Sequence, residues 1–86
     1  MSFTARVKET EKIFEALDLL DEKGVRAFDA NTLEDGKLYK GLLYDTEPTN
    51  DPAKFRYRTR TEATFRADEL ERLPLPVLLK PMRKRD

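Results

Sequence analysis

Four cations alternate along one short stretch of the chain, KFRYRTRT at positions 54–61. They are Lys54, Arg56, Arg58 and Arg60. In a β-strand, alternate side chains share one face at intervals of about 6.6 to 6.8 Å, close to the distance between neighbouring phosphates of a single nucleic-acid strand. This spacing predicts a strand that contacts a phosphate backbone. The basic surface would be widened by further cations at Arg66, Lys80, Arg83, Lys84 and Arg85.

Two aromatic residues, Phe55 and Tyr57, lie between these cations in the sequence. Alternation directs them to the opposite face of the strand, where they are predicted to enter a core. Proteins that bind single strands usually carry rings beside their cations, so that bases can stack on them. Without rings on the cationic face, we expect binding that is backbone-directed, salt-sensitive and weakly selective for sequence.

The same four cations have a structural interpretation as well. Like charges along one strand repel each other, and a neighbouring strand or an acidic helix could relieve the repulsion by forming ion pairs within the molecule. In that case the function would lie elsewhere on the surface.

A protein-binding function is the alternative prediction. An acidic ridge along an N-terminal helix would serve it, as would an apolar segment of the C-terminal tail. The acidic residues are Glu11, Glu15, Asp18 and Glu22, and the apolar ones are Leu75, Val77 and Leu79. Complementary charge would dock such an adaptor or inhibitor on a charged partner, or head-to-tail on a second copy. Anti-defence proteins of mobile elements offer an analogy of size and composition.

The sequence contains few of the residue types that catalysis usually requires. The chain has no His and no Cys, which removes the commonest general base, thiol nucleophiles, disulfides and Cys/His zinc sites. The three glycines are scattered, so no phosphate-cradling loop is present. We therefore expect a non-catalytic binding module with no cofactor and no metal.

The length and composition favour one domain spanning residues 1–86. Charged residues make up 40% of the chain and sum to zero, but residues 1–51 hold 7 basic and 12 acidic side chains, whereas residues 52–86 hold 10 and 5. This dipolar layout, −5 against +5, bears on partners more than the total charge does. With no membrane-length apolar run and no apolar signal segment, a cytoplasmic location is expected.

The N-terminal part of the chain has the spacing of an amphipathic helix over residues 4–23. Apolar side chains recur three or four positions apart, and Gly24 follows where the helix would end. The stripe consists of Val7, Ile13, Phe14, Leu17 and Leu20. We expect it to cover one face of a sheet.

An antiparallel sheet is predicted over residues 25–66. A two-residue turn at Asp35-Gly36 would pair Leu33 with Leu38 and Phe28 with Leu43. The stretch TEPTNDPA, 46–53, is a loop, KFRYRTR a third strand, and ATFRA a fourth strand after a turn near 61–62. Next, 68–73 is predicted as a short helical turn capped by Asp68. Pro74, Pro76 and Pro81 make 74–86 an extended basic tail, which would cover an open end of the sheet or dock on a partner.

The predicted fold class is α+β, with the N-terminal helix packed on a small curved antiparallel sheet of three to four strands. Around YKGLLYD and FRADEL this pattern resembles SH3-like small barrels, a likeness of fold that implies no functional residue. The predicted core consists of Val7, Phe14, Leu17, Leu20, Phe28, Leu42, Tyr44, Phe55, Tyr57 and Phe65.

Overall fold

The computed structural model describes residues 3–21, 23–30, 32–73 and 77–82, with the backbone alone at 26–29. These residues form seven strands and one short 3-10 turn. The strands are β1 (Phe3–Val7), β2 (Ile13–Leu20), β3 (Arg26–Asp29), β4 (Leu38–Pro48), β5 (Lys54–Arg66), β6 (Leu70–Arg72) and β7 (Leu78–Pro81), and the 3-10 turn is Ala67–Glu69.

All seven strands belong to one sheet, curled into a half-barrel. The hydrogen-bonded order is β6-β1-β2-β4-β5-β7, and β3 pairs with the part of β2 that β1 leaves free. Neighbouring strands are antiparallel except β5 and β7, which are parallel. The hairpin of β4 and β5 is the longest element and carries the cationic stretch.

The predicted α+β class is wrong, because the described residues of 4–23 contain no helix. The sheet also has seven strands in place of the predicted three to four. Residues 3–7 and 13–20 are instead strands β1 and β2, joined by a turn in which the Val7 amide donates to the Lys12 carbonyl oxygen at 2.8 Å. Glu11 completes this turn with a φ of 62°, a left-handed conformation that no glycine marks in the sequence. Pairing on both edges of β2 outweighs the modest helix propensity of the segment.

A β-bulge explains why β2 has the spacing of a helix. Ala16 pairs with Gly41 and Asp18 with Lys40, so Leu17 is an extra residue in β2. The extra residue changes a period of two into a spacing of three, and Leu17 itself is 36% exposed. In β1 the period of two is uninterrupted, with Phe3, Ala5 and Val7 buried.

The predicted pairing of the first hairpin is also wrong. The tight turn at Asp35-Gly36 exists, with a hydrogen bond from the Lys37 amide to the Glu34 oxygen and Gly36 at a φ of +78°. However, β3 pairs with β2 and not with β4. Leu43 therefore lies opposite Phe14 and Thr61, and not opposite Phe28.

The C-terminal half differs in detail from the predicted strands. No turn divides 54–66, because β5 pairs with β4 through Thr61 and Glu62. The helical segment covers 67–69 instead of 68–73, begins without a side-chain cap from Asp68, and leads into β6. The described part of the tail is extended, and its strand β7 lies along the start of β5.

Most of the buried side chains belong to two groups on opposite faces of the sheet, according to the strand registers. The main core contains Phe3, Ala5, Val7, Phe14, Ala16, Ala30, Tyr39, Ala67 and Leu70, with Leu19, Leu33, Leu43, Ala63 and Phe65 packed against it. The second group, which we name the distal cluster, consists of Ile13, Tyr44, Thr46 and Tyr57. Ile13 lies opposite Tyr44, the rings of Tyr44 and Tyr57 are 4.8 Å apart, and the Ile13 amide donates to the Thr46 hydroxyl.

Of the predicted core residues, Val7, Phe14, Leu20 and Tyr44 are buried. Leu42, Phe55, Tyr57 and Phe65 are half-buried, Leu17 is exposed, and the Phe28 side chain lies outside the described part. The prediction did not include Phe3, Ile13, Tyr39 or Leu70, which are all buried.

Candidate nucleic-acid interface

A second β-bulge controls where the cations of β5 point. Tyr44 pairs with Arg60 and Thr46 pairs with Tyr57, so two residues of β5, Arg58 and Thr59, lie opposite the single residue Asp45. A bulge of this kind inverts the alternation of side chains along the strand. Even-numbered residues before the bulge therefore lie on one face of the sheet, and even-numbered residues after it lie on the other face.

The bulge divides the cations that simple alternation puts on one face. Lys54 and Arg56 lie on the face that carries Glu47, the register partner of Arg56. Arg58 lies on this face as well, since its guanidinium donates to the Glu47 carboxylate at 2.7 Å. Arg60 lies on the other face, beside Tyr44.

Arg66 lies at the opposite end of β5 from Lys54. Twelve residue steps, about 40 Å along the strand, separate the two. At that end of the molecule it lines a groove together with Lys37 and Asp68. The structure therefore brings together three of the four alternating cations, Lys54, Arg56 and Arg58, and separates Arg66 from them.

Strand β7 adds a fourth cation to this face. Its parallel register sets Lys80 opposite Arg56 and Leu78 opposite Lys54, and neighbouring strands lie about 4.8 Å apart. We name Lys54, Arg56, Arg58 and Lys80 the basic cluster. Arg83, Lys84 and Arg85, which the sequence adds to the same surface, lie outside the described residues.

Two carboxylates border the basic cluster. Glu47 forms an ion pair with Arg58, and Asp45 forms one with Lys12 at 2.8 Å. The hydrogen bond and charge of Lys12 hold the pKa of Asp45 below its ordinary value, and the charge of Arg58 acts in the same direction. In the described ranges Lys54, Arg56 and Lys80 form no ion pair, so the cluster keeps an excess of positive charge.

The sequence contained a signal for these two counter-charges that our predictions did not use. Asp45 and Glu47 alternate along β4 as the cations do along β5. Opposite charges on paired strands stabilise each other, so the interpretation as internal ion pairs applies to Arg58. It does not extend to Lys54 or Arg56 among the residues that the structure describes.

The acidic residues of the alternative prediction do not form a ridge. Glu11 lies in the turn between β1 and β2, whereas Glu15 lies in β2 and accepts a hydrogen bond from the Tyr44 hydroxyl at 3.1 Å. Asp18 lies further along β2, beyond the bulge, opposite Lys40. Glu22 lies outside the described residues.

Two of the apolar tail residues, Val77 and Leu79, are half-buried against the protein's own sheet, so they are only partly available to a partner. Leu79 lies opposite Phe55 on the face of the distal cluster, and Val77 precedes β7; both are half-buried. Leu78, on the face of the basic cluster, is 46% exposed. Leu75 lies outside the described residues.

The described ranges contain neither a metal site nor a membrane-spanning helix. No group of three or more His, Cys, Asp or Glu side chains there is arranged to hold a metal ion. Within the same ranges, no helix has both the length and the apolar character needed to cross a membrane. Comparison of the chain with protein-family models, curated proteins and solved structures finds no match.

Proposed function

We propose that this protein binds the sugar-phosphate backbone of nucleic acid through the basic cluster. The observation that carries the proposal is the parallel pairing of β7 with β5, which sets Lys80 beside Arg56 on the face of Lys54. None of these three side chains has an ion-pair partner among the described residues. Cations without counter-charges attract phosphates and release the ions condensed on them.

The geometry favours contact with the backbone over recognition of bases. Phe55 and Tyr57 lie on the face opposite the basic cluster, so they offer no stacking platform beside the cations. Phosphate contacts alone carry no sequence information. Binding is expected to be nonspecific, with Leu78 as the one exposed large apolar neighbour in the described part of that face.

The test is fluorescence anisotropy with labelled single-stranded DNA, duplex DNA and RNA at low and at physiological salt. Three cations in excess predict that the logarithm of the association constant falls with that of salt with a slope of about −2 on a single strand. The double variant R56E/K80E should weaken binding at least about tenfold. Its matched control is K23E/K37E, which reverses two exposed cations at the opposite end of the molecule.

Two further variants separate this cluster from general charge effects. R60E should leave affinity within about twofold of the unmodified protein, because Arg60 is on the other face. E47Q should raise affinity, because it frees Arg58. Absence of binding at low salt, or equal losses in K23E/K37E and R56E/K80E, would refute the proposal.

A further inference from the structure

One edge of β5 is only half covered. Strand β7 pairs with Lys54 to Tyr57, and the last hydrogen bond along this edge runs from the Met82 amide to the Tyr57 oxygen at 2.9 Å. From Arg58 to Arg66, no strand in the described ranges pairs with this edge. A row of unpaired backbone groups of this length is a template for another strand.

The hydrogen-bond pattern shows which residues point outward along this edge. The Ala67 amide donates to the Lys37 oxygen, in continuation of the register that pairs Leu38 with Arg66. In an antiparallel pair, alternate residues direct both backbone groups to the same neighbour. Ala63 and Phe65 therefore face β4, whereas the amides and carbonyls of Glu62, Thr64 and Arg66 face away from it.

We propose that this edge pairs antiparallel with the same edge of a second copy of this chain, with Thr64 on the two-fold axis. Pairing of outward-facing residues then sets Glu62 opposite Arg66 of the other copy, twice by symmetry. About six backbone hydrogen bonds join the two strands. The resulting interface is isologous and joins two half-barrels into one continuous sheet.

Charge selects this register from its neighbours. An axis at Glu62 sets two glutamates opposite each other, and an axis at Ala63 sets Arg60 opposite Arg66. An axis at Thr61 runs the second strand into β7. Like charges directly opposite destabilise a strand pair, whereas opposite charges stabilise it, so the Thr64 register is favoured.

On the opposite face of β5 from Glu62 and Arg66, the same register brings apolar side chains together. Ala63 then lies opposite Phe65 of the second copy. Both residues are half-buried and pack against the main core, where the Phe65 ring is 5.0 Å from that of Phe14. Pairing thus extends the main core from one copy to the other and removes the exposed part of both side chains from water.

Sedimentation velocity over a range of concentrations tests the proposal with charge-reversal variants. The unmodified protein should sediment as a dimer at high concentration. E62R alone sets arginine opposite Arg66, and R66E alone sets two glutamates opposite each other, so each should raise the dissociation constant about tenfold or more. An equimolar mixture of E62R and R66E should form a heterodimer, because both cross-strand pairs are then complementary.

The swapped double variant E62R/R66E should dimerise as the unmodified protein does. T64P should remain folded but monomeric, because Thr64 donates its amide outward and not to β4. An unmodified protein that stays monomeric at every concentration would overturn the proposal, and the charges of this edge would then act as blockers of pairing. A dimer that persists unchanged in E62R, or no association in the mixture, would overturn it as well.

Discussion

The main core and the distal cluster are built from the same strands but differ in how they are enclosed. Strand β4 contributes Tyr39 and Leu43 to the main core and, from its other face, Tyr44 to the distal cluster. The main core contains side chains from many strands. The distal cluster contains side chains from β2, β4 and β5 alone, at the end where the β4–β5 hairpin extends beyond most other strands. The basic cluster lies across the sheet from the distal cluster.

In this protein, the region with the larger core is separate from the surface that is rich in like charge. Repulsion among Lys54, Arg56 and Lys80 acts on a region that has little core beneath it. Local opening is expected to begin where few apolar contacts hold the backbone. We therefore expect backbone amide hydrogens to exchange with solvent faster in the part of β4 and β5 that carries the distal cluster than in the strands around Phe14 and Tyr39.

The largest effect is expected for Gly41→Ala, where β2 and β4 approach closely. A Cβ at this position would lie 1.9 Å from the Glu15 carbonyl oxygen, a backbone atom that cannot move aside alone. The free energy of unfolding should fall by more than about 4 kcal/mol, beyond the usual overpacking cost of about 1 to 3 kcal/mol, because strands β2 and β4 must separate. Urea denaturation measures it. Gly24→Ala is the comparison, because a Cβ there meets no atom within 4 Å but the φ of +82° is strained, so it gives the cost of backbone strain without a clash and should be smaller.

The comparison of the two groups is tested by truncating one ring in each. Phe14 is fully buried in the main core, so Phe14→Ala should cost about 4 kcal/mol. Tyr57 is half-buried in the distal cluster, and Tyr57→Ala should cost about 2 kcal/mol. Thermal unfolding gives both values, and equal losses would contradict the proposed difference between the groups.

Removal of single hydroxyl groups gives a finer comparison. The Tyr39 hydroxyl accepts from the Glu34 amide at 2.8 Å and donates to the Thr32 oxygen at 2.7 Å, which holds the loop before β4. Tyr39→Phe should cost about 1.5 kcal/mol, and Tyr44→Phe, which loses a contact with Glu15, about 0.7 kcal/mol. Denaturant midpoints measure the two changes. A larger loss in Tyr44→Phe than in Tyr39→Phe would contradict the larger contribution that we assign to the Tyr39 hydroxyl.

The smallest effect appears only at alkaline pH. Burial raises the pKa of both Tyr39 and Tyr44 above the ordinary tyrosine value. Tyrosines of the unfolded chain ionise near a pH of about 10, so the stability that these groups contribute is complete below that pH and is lost as pH rises through the folded pKa values. Unfolding midpoints measured upward from neutral pH should fall less steeply in Tyr39→Phe.

Several features of the fold were predictable because they depend on local chemistry. The strand character of 54–60 and the turn at Asp35-Gly36 follow from alternation and from residues with restricted or left-handed backbone conformations. The loop predicted at 46–53 is right only for 49–53, because β4 continues through Pro48. The burial of Val7, Phe14, Leu20 and Tyr44 was predicted as well. The N-terminal helix was wrong because Leu17 sits in a bulge, and a bulged strand and a helix produce the same short-range spacing.

The cationic character of the candidate site was predictable from the sequence, but which cations share one face was only partly predictable. Lys54, Arg56 and Arg58 share a face with Lys80, but the bulge at Arg58 and Thr59 turns Arg60 to the other face. Glu47 reduces the charge of the cluster through its ion pair with Arg58. A bulge depends on how two paired strands align, so the residue types within either strand alone do not specify it.

The sequence by itself determined the kinds of chemistry this protein carries: no imidazole or thiol, a basic C-terminal half, and a strand rich in cations. Tertiary structure alone decided which residues share a face, which edge of β5 is open, and that the N-terminal segments are strands. The physical reason is that backbone pairing between strands is non-local. A shift of one residue in that pairing moves a side chain from one face of the sheet to the other.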